Sequence, residues 1–194
     1  CIRDRLSPLL EGLLRRLMYV SAQDHEASQT LSKQLNAVVL RILSMSHGED
    51  VYQALFSLLV STTADVAAGD QAQLAELVVK CLWKVARKLP AALEAKQVHA
   101  EALLRSVERF FEAIPPSEWA QRAQKHVPLR DIPLITATNV LKQLTDTLGE
   151  GALAATDAWT EPEKTHVYRY LLRLLHGPSP VSYTHLTLPT TPYV

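Results

Sequence analysis

Leucine, valine and isoleucine return every three or four residues through almost the whole chain, and that period decides what it can fold into. Leu6, Leu9, Leu10, Leu13, Leu14 and Leu17 form one such stripe over residues 4–19. Leu31, Leu35, Val38, Val39, Ile42 and Leu43 form the next, after a polar stretch centred on Asp24. The run His47-Gly48-Glu49-Asp50 interrupts the pattern before Val51, Leu55, Leu58 and Leu59 restart it. Here Gly48 is expected to end one helix in a left-handed conformation and Asp50 to cap the next.

Gly69-Asp70 repeats that punctuation, and the clearest stripe follows over residues 71–89: Leu74, Leu77, Val78, Cys81, Leu82, Val85 and Leu89. Pro90 should stop this helix or bend the chain out of it. A further helix is predicted from Val98 to Ala113, then a turn at Pro115-Pro116 with Ser117 as N-cap of a short helix. Pro133 suits the first turn of a helix running to Leu148, which Gly149 and Gly151 close. Pro162 is expected to open the last helix. No credible segment alternates with period two between hairpin turns. Seven to nine helices with short connections favour antiparallel neighbours, about one pair every 40–45 residues, the rhythm of HEAT-like repeats. The expected fold class is therefore all-α, antiparallel helix pairs stacked as an α-solenoid, with a compact helical bundle as the alternative.

The tail differs. Thr and Leu alternate in Val181-Ser182-Tyr183-Thr184-His185-Leu186-Thr187-Leu188-Pro189-Thr190, which resembles a transposase mosaic-end sequencing adapter translated in frame. Residues 178–194 are thus expected to be a disordered tail, with 181–194 a translated adapter outside the fold. The chain begins with Cys1 instead of methionine and is expected to be a fragment. Its first helix should lack an upstream mate and leave Leu10 and Leu14 exposed.

Twenty acidic and twenty basic residues cancel, so no overall field draws in nucleic acid or an anionic membrane, and neither is expected as a partner. No apolar run approaches the roughly 18–20 residues needed to span a bilayer. The two cysteines, Cys1 and Cys81, offer no disulfide framework and suit a reducing compartment. Seven histidines are scattered, none paired at helical metal-ligand spacing, and no phosphate-binding loop, dinucleotide turn or nucleophile elbow occurs. No catalytic residue, cofactor or metal site is expected.

Candidate contact residues come from faces and loops. At 100° per residue, the core side of the 71–89 helix centres on Val78, Cys81, Leu82 and Val85. Lys80, Trp83, Lys84 and Arg87 fall toward the other side, where a tryptophan among cations suits an acidic partner surface. The plainer alternative has Trp83 packing on the neighbouring helix pair, and Lys84, Arg87 and Lys88 answering the helix dipole. Trp119 is expected to staple its turn onto the preceding helix. Lys125, His126 and Arg130 make a small basic turn, either a solvated loop or a second contact surface.

Leu77-Val78-Val79-Lys80-Cys81-Leu82-Trp83-Lys84, then Phe110-Phe111-Glu112-Ala113-Ile114-Pro115-Pro116-Ser117-Glu118-Trp119, then Pro128-Leu129-Arg130, resemble the C-terminal region of the chTOG family of TOG-array microtubule polymerases. Lys33-Gln34-Leu35-Asn36 is a weaker match in the right order, and the resemblance covers roughly residues 5–177. It implies that residues 1–177 form a HEAT-like, TOG-related domain following the tubulin-binding repeats. It also implies a cytoplasmic, microtubule and spindle-pole setting, αβ-tubulin as partner of the full-length protein, and recruitment through a TACC-type coiled-coil adaptor. The tubulin-contacting loop residues of typical TOG domains have no match here, so no functional residue is carried over.

Overall fold

The three-and-four period becomes ten α-helices among the described residues of the computed structural model, which are 2–23, 25–64, 69–125 and 127–177. The tail at 178–194, with its adapter reading, and His126 of the basic turn lie outside them. In chain order the helices are α1 (Ile2–Ser21), α2 (Glu26–Met45), α3 (Gly48–Thr63), α4 (Asp70–Ala86) and the short α5 (Leu89–Glu94). There follow α6 (Ala100–Ala113), α7 (Pro116–Gln124), α8 (Ile132–Leu148), the one-turn α9 (Gly151–Ala154) and α10 (His166–His176). A single 3-10 turn, Pro162–Lys164, precedes the last helix, and no strand occurs among the described residues. The count exceeds the sequence expectation because α5 and α9, too short to carry a period, stand in what read as connections.

Prolines act near where the sequence placed them, with three refinements. Pro133 occupies the first turn of α8 as expected, but α4 ends at Ala86, ahead of Pro90, which opens α5 instead of stopping a helix through Leu89. Pro162, however, starts only the 3-10 turn, and α10 is capped by Thr165, whose hydroxyl accepts from the Tyr168 N–H at 3.2 Å. Ser117 lies inside the first turn of α7, with Pro115 in the cap position.

Gly48 also departs from expectation. It is the first residue of α3, not a left-handed helix terminator, and Asp50 sits within that helix. A Cβ on Gly48 would run into Val98 Cγ2 and lie 3.0 Å from the Gln97 carbonyl oxygen. Glycine is needed because the chain before α6 passes against it. Gly149, at φ +55°, does end α8 as its pattern foretold.

Two layers result. α1, α3 and α6 lie side by side in one, while α2, α4 and α8 form the other, and α10 packs across α6 and α8. The helices pack in antiparallel-type contacts, so the architecture is all-α and of the stacked, HEAT-like solenoid type. A continuous core runs from Leu6 of α1 to Leu171 of α10. Leu10 and Leu14 are 0% and 1% exposed, against the expectation of an uncovered first helix. α1 turns that face onto α2, α3 and α4, and shows Leu9 and Tyr19 outward instead. At the centre Phe110 stacks on Trp119 with ring centroids 5.7 Å apart, and Phe56 and Phe111 flank it. Trp119 is thus core, as its staple role required.

A carboxylate–imidazole contact ties sequential units together. Glu49 in the first turn of α3 accepts from the backbone N–H of His99 at 3.1 Å and also meets that residue's Nδ1. Partial burial opposes its charge, but the His99 side-chain and backbone hydrogen bonds, with the charges of His99 and His47, outweigh it and hold the carboxyl below its ordinary value. A depressed folded-state value contributes stability that is complete above the unfolded value near 4.5 and vanishes as pH falls through the folded one. In urea titrations the stability difference between the native chain and Glu49→Gln should therefore hold at pH 5 and shrink toward pH 3. A difference constant over that range would remove Glu49 from the acid response.

Candidate protein-docking face

α4 presents its polar side between α2 on one flank and α8 on the other, so its exposed residues divide by neighbour. Trp83 belongs to the α8 side. The residue is 43% exposed, yet its Nε1–H donates to Thr136 Oγ1 at 2.9 Å, and that hydroxyl donates in turn to the Ile132 carbonyl at 2.8 Å. The indole is a tie between layers' neighbours, the plainer of the two sequence alternatives. Trp83→Phe keeps most of the buried ring and removes one donor, so it should cost about 1 kcal/mol in urea unfolding. An unchanged midpoint would mean that the bond does not form in solution.

Lys80 and Lys84 belong to the α2 side, in a groove whose floor is apolar. Toward the start of α4 a cavity of about 530 Å³ is lined by Leu17, Ser32, Lys33, Asn36, Leu77 and Lys80, among others. Farther along, one of about 430 Å³ is lined by Ala37, Leu40, Arg41, Lys84, Val85 and Lys88, among others. The two follow one another in the same order along α2 and α4, so these helices run in the same direction, as equivalent members of successive pairs do. Lys80 pairs with Glu76 at 2.7 Å. Lys33, Arg41, Lys84 and Lys88 make no ion pair with any described residue.

The other candidates stand elsewhere. Arg87 is exposed at the C-terminal cap of α4, with its N–H on the Trp83 carbonyl, and lines neither cavity. Lys125 is exposed at the end of α7. Arg130 is exposed in a loop where it and Leu129 both take positive φ, 45° and 64°. Neither Lys125 nor Arg130 reaches the groove cavities.

Lys33, Arg41 and Lys88 are the members that sequence reasoning missed. Lys88 carried a signal, since Lys80, Lys84 and Lys88 stand four apart in the sequence, although the structure puts Lys88 in the turn after α4. Lys33 and Arg41 carried none, because only the packing of α2 beside α4 brings them across from those lysines.

Reactive chemistry is thinly represented. Burial pushes the Cys81 thiol up to about 11, so it is protonated at neutral pH and a poor nucleophile. Among the described residues no three of His, Cys, Asp and Glu group as metal ligands would. No described helix is long and apolar enough to cross a membrane. A third cavity, of about 440 Å³ between α8 and α10, contains Arg169 and Arg173, but backbone carbonyls engage both guanidinium groups. Free positive charge thus favours the α2–α4 groove. No protein-family model and no solved structure matches the chain.

Proposed function

We propose that this chain is a non-catalytic docking module, the C-terminal TOG-like domain of a microtubule polymerase of the TOG-array kind, which recruits a coiled-coil adaptor. The observation that carries the docking reading is the α2–α4 groove, apolar below and flanked by Lys33, Arg41, Lys84 and Lys88, which pair with no described residue. The microtubule assignment is supported by the ordered matches around Leu77–Lys84, Phe110–Trp119 and Pro128–Arg130. On this reading the protein works in the cytoplasm at microtubule ends and spindle poles, and polymerase activity resides mainly upstream.

A second reading uses the same cations differently: the module binds αβ-tubulin itself. Lys80 and Lys84, exposed on one ridge of α4, favour it, since a basic face suits an acidic filament subunit. Size-exclusion chromatography of the chain with αβ-tubulin, and separately with a TACC-type coiled coil, distinguishes them. Co-elution with the coiled coil alone supports adaptor docking. A salt-sensitive complex with tubulin selects the second reading and ends the docking-only view. Separate elution in both experiments removes the microtubule assignment and leaves a helical scaffold of another system.

A further inference from the structure

We propose that the α2–α4 groove receives an acidic amphipathic helix of about four turns from a partner protein. This rests on the docking reading and names the chemistry of what docks.

Length comes first. On α4 the lining runs from Gln73 to Val85, about 18 Å at 1.5 Å per residue, and Lys88 in the turn after that helix extends it to the length of about four helical turns. The floor offers Leu40, Leu77 and Val85, each only partly buried, with Ala37 exposed beside them. These give a partner's apolar stripe somewhere to lie. Along the walls stand Lys33 and Arg41 from α2, Lys80 and Lys84 from α4 and Lys88 from the turn after it, against Glu76, the one carboxylate among the described residues of the lining. Glu76 engages Lys80, leaving four cations for a ligand. Charge complementarity therefore requires carboxylates flanking the partner's apolar stripe, and a basic helix would be repelled.

Other recognition modes fit less well. The described residues include no strand and so no sheet edge to extend. Among the described residues the lining has no aromatic ring, on which a proline-rich segment or successive bases would stack. A helix laid in a groove uses what is there, namely aliphatic floor and cationic rim.

Fluorescence anisotropy tests this with the whole chain and a synthetic peptide of about 16 residues, leucines at three- and four-residue steps and glutamates on both flanks. Controls are the same peptide with lysine for every glutamate, a scramble that destroys the stripe, and a single-stranded oligonucleotide. The glutamate peptide should bind and weaken about tenfold or more between about 50 and about 300 mM salt. The lysine peptide and the scramble should bind at least about tenfold more weakly.

The variant R41E/K84E/K88E changes only exposed or rim side chains and should retain the native circular dichroism and melting temperature while losing the peptide. A charge-matched variant away from the groove, R109E/K142E/K164E, should bind as the native chain does. The proposal fails if the glutamate peptide does not bind, if both triple variants weaken it alike, or if the oligonucleotide is the tighter ligand. Should R41E/K84E/K88E still co-elute with the coiled coil, the groove assignment is lost while the docking reading survives.

Discussion

Glu108→Ala should lower the unfolding free energy by about 3 kcal/mol and release α10 before the rest of the stack. Glu108 projects from α6, is 7% exposed, and accepts from two backbone donors at the start of α10: His166 N–H at 2.9 Å and Val167 N–H at 2.7 Å. The next N–H, of Tyr168, goes to the Thr165 hydroxyl, and that of Thr165 itself reaches the Pro162 carbonyl at 3.0 Å. All four donors that a helix start leaves open are thereby matched, two of them by one carboxylate from another helix. Removing it strands two donors near or inside the core and takes a negative charge from the positive end of the helix dipole. An eleven-residue helix does not hold itself together in water, so loss of the tie should appear as loss of the whole element. Glu108→Gln, which keeps one accepting oxygen and turns an NH₂ toward the other donor, should cost nearly as much. Thr165→Ala should cost about 1 kcal/mol, the usual value for one cap. Urea midpoints give the totals, and hydrogen exchange at α10 amides locates the damage. Equal loss of protection in α1 and α10 would mean that Glu108 supports the stack generally and does not anchor this helix.

The parts of this structure that were legible in the sequence are those governed by near neighbours. The stripe Leu74, Leu77, Val78, Cys81, Leu82 and Val85 encodes α4 because helix formation and burial of one face require only the 3.6 period. Pro133 and Gly149 were legible for the same reason, since each acts through its own backbone angles. Gly48 was not. It resembles a helix terminator, while its true constraint is Val98, fifty positions along the chain. Glu108, among Arg105, Arg109 and Glu112, looks like any charge on a solvated face, and its partners are 58 and 59 residues away. The groove divides along the same line. Lys80 and Lys84 share a ridge that four-residue spacing exposes, and Lys88 follows in the turn after α4, whereas Lys33 and Arg41 join them only through packing of one helix pair on the next. Trp83 shows how far a face argument reaches: it points away from the core stripe of α4 and is nevertheless bonded, to a helix that the wheel of α4 alone does not contain.

Arg122→Ala should cost about 3 kcal/mol, because this side chain answers the opposite end of a different helix. From α7 its guanidinium donates to the Thr63 carbonyl and, at 3.1 Å, to the Ala64 carbonyl, the last acceptors of α3. It also forms two hydrogen bonds with Glu118, at 2.9 and 2.6 Å, and lies over the Trp119 ring at 4.8 Å. Trp119 in turn stacks on Phe110, so the cation ties the C-terminal end of α3 to the aromatic centre of the core. Positive charge at that end of a helix is favourable in itself, and a buried carbonyl without a donor is not. The loss should stop short of the largest values for broken buried pairs, since Glu118 is 45% exposed and water can solvate it. Arg122→Lys is the informative companion. Its ammonium keeps the charge but lacks the planar fork that serves two carbonyls and a carboxylate at once, so it should recover only about half of the loss. Full recovery by lysine would show that charge alone is required, and that the fork geometry and the stacking on Trp119 contribute nothing to holding α3 against α7.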